Sequence, residues 1–213
     1  MADIGTTRPK GSVPGREQVL DYLIANYKFD TAIDIGCGHG DFFKYLNEKG
    51  VQVKGTGIDM MPEDKITYKG FKYIKSNFND YEPTENYDLI FSSHTIEHNP
   101  NTEEFLKNFF KFGKPGGLFC LVWPPPKPQI VGGHVHIFNL GIMMYNIIRT
   151  GVNCKNVKMI KVGYNLVIVG EYDFFDLPTL TYNRHEIEML KDYFPFPAVQ
   201  AFDGDNPPGV IKL

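Results

Sequence analysis

The stretch Ser92 to Asn101, SSHTIEHNPN, places two imidazoles and a carboxylate in close succession. His94, Glu97 and His98 stand at i, i+3 and i+4, which on a helical turn puts three side chains on one face. Two nitrogens and a carboxylate oxygen suit a borderline divalent cation such as zinc, manganese, iron or nickel, and leave one position open. Without a cation, His94 or His98 becomes the natural general base, because imidazole titrates near neutrality. Farther along, GGHVHIF supplies His134 and His136, which share a side of an extended chain; either could complete a ligand set. The bland alternative is a glutamate that braces a loop and histidines that pack against it.

A second cluster of chemistry sits upstream. AIDIGCGHGDF carries Gly36, Gly38 and Gly40, with Asp34 before them and Cys37 among them. Glycines permit a tight turn and close approach of a ligand to the backbone, and the helix that follows offers unpaired N–H groups. Asp59 ends the next apolar run, where a carboxylate can accept bonds from both hydroxyls of a ribose. Asn77 and Phe78 offer an amide for a base edge and a ring for its face, Met60 can cover the other face, and Ser92 lies at the end of a further strand.

These groups need a scaffold that brings strand ends together. REQVLDYLIANY has helical spacing, TAIDIG reads as a strand, DFFKYLNEKG as a helix and VQVKGTGID as a strand. FKYIKSN and YDLIFSS are two more strands, NTEEFLKNFFKFGKPGG a capped helix, and LFCLVW the fifth strand. Such alternation predicts an α/β fold, a doubly wound and mostly parallel sheet with its ligands at the carboxyl ends of the strands. WPPPKPQIVGGHVHIF is too proline-rich for helix, LGIMMYNIIRTG is helical, and VKMIKVGYNLVIVGEY makes two antiparallel strands about Gly163. NRHEIEMLKDYF is the one helix expected in the remainder, 172–213, which reads as a cap or lid, and residues 1–15 read as a flexible leader to a single domain spanning 1–213.

The series D-x-G-x-G-x-G, strand-end acid, Asn-aromatic pair and YDLIFSSHTIEH resembles the class I S-adenosylmethionine-dependent methyltransferases. The resemblance covers roughly Asp30 to Val122 and continues more loosely to Tyr172. It implies a Rossmann-like sheet of seven strands with an antiparallel last strand, and S-adenosylmethionine as cofactor. It also implies that Asp34 and Gly36 lie near the methionine part, Asp59 at the ribose, and Asn77 and Phe78 at the adenine. Many members of that family have Asp where this chain has Asn77, whose amide oxygen can still accept from adenine.

A narrower resemblance joins the segment to the small-RNA 2′-O-methyltransferases and the ubiquinone-pathway O-methyltransferases, which carry Glu-x-x-Glu-His here and a later metal-binding His. On that pattern Glu97 and His98 match, His94 replaces the first Glu, and His136 matches the later His, so a divalent metal held by His94, Glu97, His98 and His136 is the implied site. Gly132 to Val169 also resembles small methyltransferases of surface-polysaccharide or viral-glycan synthesis, which implies a sugar or glycan acceptor. The alternatives are a phenol, quinone or RNA ribose, or a cofactor-binding module without turnover. Tail aromatics such as Tyr172, Phe194, Phe196 and Phe202 suit a sugar face and equally suit a second core.

Composition narrows the field further. The 213 residues carry a formal net charge of −3, with a pI of about 6.1, which argues against a nucleic-acid backbone as partner. Cys37, Cys120 and Cys154 form no CxxC pair, as expected of buried thiols in a reducing compartment. No apolar run reaches the roughly 18 residues of a membrane span, and Met1 to Lys10 lacks a signal-peptide core, so the expected location is cytoplasmic.

Overall fold

The computed structural model describes residues 15–213; the leader before them lies outside the described residues. In chain order the elements are α1 (Arg16–Asn26), β1 (Thr31–Ile35), α2 (Asp41–Glu48), β2 (Lys54–Asp59), β3 (Lys72–Lys75), β4 (Tyr87–Ser93), α3 (Thr102–Lys111) and β5 (Gly113–Trp123). Then follow α4 (Leu140–Ile148), β6 (Val152–Asn153), β7 (Lys158–Val162), β8 (Asn165–Glu171), β9 (Asp173–Phe174), α5 (Glu186–Leu190) and β10 (Ile211–Lys212).

Eight strands form one sheet in the order β10-β7-β8-β5-β4-β1-β2-β3. Neighbours run parallel except around β8, which is antiparallel to both β5 and β7. The expected α/β fold with an antiparallel late strand is therefore present, and the chain's end adds a short parallel edge strand beyond the seven anticipated. Inside the tail, β9 pairs with β6, and Phe194, Phe196 and Ala198 are buried with the main core. The helix expected over NRHEIEMLKDYF is shorter, α5 followed by a 3-10 turn at Lys191–Tyr193.

Alternation along β5 shows why the sheet takes helices on both faces. Phe119, Leu121 and Trp123 join a core with α3 and α4, through Phe105, Phe109, Leu140 and Met144. Leu118, Cys120 and Val122 join the opposite core with α1 and α2, through Leu20, Leu23, Phe42 and Leu46. Successive strand residues face opposite sides, so a strand covered on both reads as an unbroken apolar run. Asn101 caps α3 by accepting from Glu104 N at 3.1 Å, and Asn139 caps α4 by accepting from Ile142 N at 2.8 Å.

The topology decides what meets at the functional rim. β1, β2, β4 and β5 end there, and because β8 runs the other way its first residues begin there, with Leu166 paired to Trp123. The β7–β8 turn thus stands beside the ends of β4 and β5. No helix among the described residues is long and apolar enough to cross a membrane.

Candidate functional site

The glycine turn is pinned by backbone bonds: Gly36 N and Cys37 N both donate to Ile58 O, at 2.9 and 3.2 Å. Gly36 has φ +78°, and a Cβ there would lie 2.1 Å from Thr95 Oγ1. Conformation and space therefore both demand glycine at this position. Asp59 accepts from Gly38 N at 2.8 Å and from Met61 N at 2.9 Å, so its two oxygens tie the glycine turn to the loop after β2. Each oxygen retains a further acceptor site for a ligand hydroxyl.

A cleft of about 420 Å³ opens here, lined by Gly36, Asp59, Met60, Asn77 and Phe78, with His94, Thr95 and His98 at its far side. Phe78 is largely buried against Phe105 and Phe112, while Met60 is 69% exposed at the rim. Asn77 Oδ1 accepts from Asn79 N at 3.2 Å, which orients its amide. Asp34, Cys37, Gly38, Gly40 and Ser92 do not line this cleft. Ser92 is buried and donates to Ile35 O at 2.8 Å, joining β4 to β1 beneath the turn.

Asp34 is buried, and its Oδ1 has no hydrogen-bond partner among the described residues. Burial raises its pKa to about 7; the nearby Arg16 guanidinium pulls it down, and Asp59 and Asp41 push it up. Burial likewise pushes the Cys37 thiol up. Its sulfur is packing material under the turn, not a nucleophile.

On the far side, His94, Glu97 and His98 do not share one helical face as their spacing suggested. Only Ile96–His98 forms a 3-10 turn, and His94 precedes it in the left-handed region with φ +54°. The backbone break separates the rings. His94 Nε2 lies 2.9 Å from Asn165 Oδ1, and Asn165 Nδ2 donates to Val162 O, so the amide oxygen faces the ring and Nε2 carries the hydrogen. Its Nδ1 stands 3.2 Å from Glu97 Oε1. Glu97 is 1% exposed, and beyond that imidazole at Oε1 its carboxylate has no partner among the described residues.

The proline loop folds back on this turn. Trp123 Nε1 donates to Phe138 O at 3.1 Å, closing the loop at its ends, and Val135 N donates to Glu97 O at 2.9 Å. His98 Nδ1 donates to Gly133 O at 2.9 Å, which leaves the Nε2 lone pair of the neutral ring free. Glu97, His98 and His134 then gather with one ligand atom each, all within 4.8 Å of one another. His136 instead points Nε2 at Pro100 O, 3.1 Å away, and packs on Phe138. The structure thus groups His134 with Glu97 and His98, keeps His94 beside Glu97 through Nδ1 while its Nε2 meets Asn165, and turns His136 Nε2 to Pro100 O.

Glu97 and His134 also line a second cavity of about 200 Å³, on the other side of the turn, with Trp123, Lys127, Gln129 and Tyr164. Tyr164 lies parallel to His94 at 6.4 Å between ring centroids. Thr95, Lys127, Tyr164 and Asn165 are residues that sequence reasoning missed. The available signal was the short Gly-Tyr turn between two strands, which the topology carries to the rim.

Residues 15–128 match the family model described as "Methyltransferase domain". The ubiquinone biosynthesis O-methyltransferase of Rickettsia bellii is 31% identical over 114 residues, covering 46% of this chain and 47% of that protein. A trans-aconitate 2-methyltransferase of Escherichia coli is 24% identical over 95 residues, covering 43% and 38%. The chain thus spans about half the length, or less, of these curated relatives. Among solved structures, an S-adenosylmethionine-dependent methyltransferase from Archaeoglobus fulgidus superposes with a TM-score of 0.60 at 18% identity, covering 73% of this chain and 92% of that one. One from Aquifex aeolicus gives 0.56 at 19% identity, covering 72% and 88%. At such identities the superpositions speak for the fold.

Proposed function

The chain belongs to the methyltransferase-domain family, and we propose that it transfers the methyl group of S-adenosylmethionine to a hydroxyl oxygen, with a sugar or glycan hydroxyl as the leading acceptor. One observation carries the reading: the segment His94–His98 is at once the far wall of the cleft beside the glycine turn and the near wall of a second cavity. On this reading a donor in the first and an acceptor in the second would meet across that segment.

The residues of the cleft fit the cofactor. Asp59 would hold the ribose hydroxyls, Asn77 and Phe78 the adenine, and the turn at Gly36 the methionine part. The cofactor supplies the electrophile, a methyl on a positively charged sulfur; the protein supplies orientation and a path for the proton. The acceptor oxygen attacks the methyl carbon in line, the C–S bond breaks with its electrons going to sulfur, and the hydroxyl proton leaves. His98, with its Nε2 lone pair free, takes that proton.

The set Glu97, His98 and His134 also fits a divalent cation, since it offers a buried carboxylate whose Oε2 lacks a partner among the described residues beside two imidazoles. Such an ion would lower the pKa of the acceptor hydroxyl. His98 is then a ligand and not the base, so removal of bound metal separates the two schemes. Activity that survives verified removal leaves His98 as the base; activity restored by added cation favours the ion.

For a sugar, the support is a cavity with Trp123 and Tyr164 as ring faces and Gln129 as a polar edge. A phenol or quinone is the runner-up, favoured by the similarity to the ubiquinone biosynthesis enzyme. An RNA ribose is disfavoured by the net charge of −3. Methyl transfer measured on a panel of glycans, phenols and oligonucleotides chooses among them. Tight S-adenosylhomocysteine binding with no transfer to any acceptor would support a module without turnover.

A further inference from the structure

Resting on the reading above, we infer that the second cavity takes an acceptor bearing an anionic group, a carboxylate or a phosphate, with its hydroxyl turned inward to Glu97 and His134 and its anion outward to Lys127.

The inner end of the cavity is set by chemistry already described. Glu97 is 1% exposed and lines this cavity; His94 Nδ1 stands at its Oε1, but its Oε2 has no partner among the described residues, so a polar group of the acceptor belongs beside that oxygen. A second anion cannot be accommodated at that end without repulsion. The outer end is different.

Lys127 lines the same cavity with its ammonium 4.4 Å from the centre of the Tyr164 ring. No acidic side chain among the described residues forms an ion pair with it. An ordinary surface lysine is a poor recognition element, because ordering its flexible stem costs entropy. This one is unusual in its backbone. Pro124, Pro125 and Pro126 precede it and Pro128 follows, which fixes φ at four positions and restricts the residue before each proline. Gln129 N donates to Lys127 O at 2.8 Å, closing the turn.

The ring beneath the ammonium is also held in place, since Tyr164 lies over His94 and Asn165, the next residue, bonds that same histidine. Lys127 is thus an exposed cation on a restrained backbone, seated over the Tyr164 ring, at one end of a cavity whose other end is a buried carboxylate and an imidazole. Such a dipolar arrangement orients a substrate that carries a hydroxyl at one end and an anion at the other. Transfer to that hydroxyl leaves the anion untouched: an O–CH₃ bond forms, the C–S bond breaks, and the hydroxyl proton passes to the base.

The test uses the whole chain and matched probes, read by calorimetry with and without S-adenosylhomocysteine. Glucuronate and glucose 6-phosphate are compared with methyl glucoside, and 4-hydroxybenzoate with 4-hydroxybenzyl alcohol. The expected result is that at least one anionic probe binds about tenfold or more tighter than its neutral partner. That advantage should vanish in Lys127→Ala, persist in Lys127→Arg and turn to a disadvantage in Lys127→Glu, with the cofactor product bound as in the wild type. Carboxylate and phosphate are told apart by which probe shows it. Equal binding of anionic and neutral probes, an advantage that survives Lys127→Ala, or no binding by any probe would overturn the inference. Failure of S-adenosylhomocysteine to bind would instead sink the methyltransferase reading, with the anion preference still readable in its absence.

Discussion

The two sides of the functional rim are held together in different ways. On the cleft side, the backbone N–H groups of the glycine turn donate to the carbonyl of Ile58 and the carboxylate of Asp59, so the turn is braced on the neighbouring strand through its own backbone. On the other side, the histidines are placed by single side-chain bonds to distant segments: His94 to Asn165, His98 to Gly133 and His136 to Pro100. Backbone bonding tolerates few sequences but follows from them directly. Side-chain bonds between loops leave residue types free to vary and make their partners a matter of topology.

If that contrast is right, the cleft side should break hardest. Gly36→Ala must force a methyl 2.1 Å from Thr95 Oγ1 at a positive φ, so it should lose about 3 kcal/mol or more of stability along with cofactor binding. Thermal unfolding and calorimetry with S-adenosylhomocysteine check both. Unchanged binding would mean that the turn adapts and does not cradle the ligand.

Asp59→Ala comes next, removing the acceptor of two backbone N–H groups as well as the contact expected for the ribose. Charge-assisted bonds of this kind imply a loss of about tenfold to a hundredfold in affinity for S-adenosylhomocysteine. Normal binding by the variant would undo the assignment of the cleft.

The histidine side is sharpened by pairing two variants. His134→Ala should lower turnover by about tenfold or more with cofactor binding intact, because it removes a member of the group around Glu97. His136→Ala loses one bond to Pro100 O and should change turnover only a few-fold. The opposite order would return the function to His136, which lines the same cavity.

The smallest effect concerns pH. Unfolded Asp34 releases its proton near 3.8, whereas the folded chain keeps it to about 7 because the carboxyl is buried. The stability this group contributes is therefore full below 3.8 and is lost as pH rises through about 7. Asp34→Asn should flatten that part of the denaturation-midpoint profile. At the other end of β1, Asp88 behaves in the opposite sense. Burial would raise it, but bonds from Lys114, the Thr31 hydroxyl and the Thr31 and Asp30 backbone hold it down at about 2. Its contribution is present above 3.8 and is lost as pH falls through about 2. A midpoint profile in Asp34→Asn that follows the wild type through this range would show that the carboxyl ionises freely under the turn.

Much of this molecule was legible one residue at a time. The apolar runs, the three glycines after TAIDI and the acid ending β2 predict the sheet, the crossing helices and the cleft, because strand pairing and tight turns impose residue types locally. Spacing also marked His94, Glu97 and His98 as a candidate site; His94 meets Glu97 as expected, but from a left-handed backbone rather than a helical one, with its other nitrogen on Asn165. Nothing in GGHVHIF distinguishes His134 from His136; two hydrogen bonds to Glu97 O, from Val135 N and His136 N, settle which ring turns toward the carboxylate. Lys127, Tyr164 and Asn165 carry no motif of their own. They reach the site because β8 runs antiparallel to β5, which carries its opening turn to the rim where the parallel strands end. The sequence by itself thus determined the groups whose role is written in backbone conformation. Only the tertiary structure decided the groups whose role depends on which distant loop lies beside them.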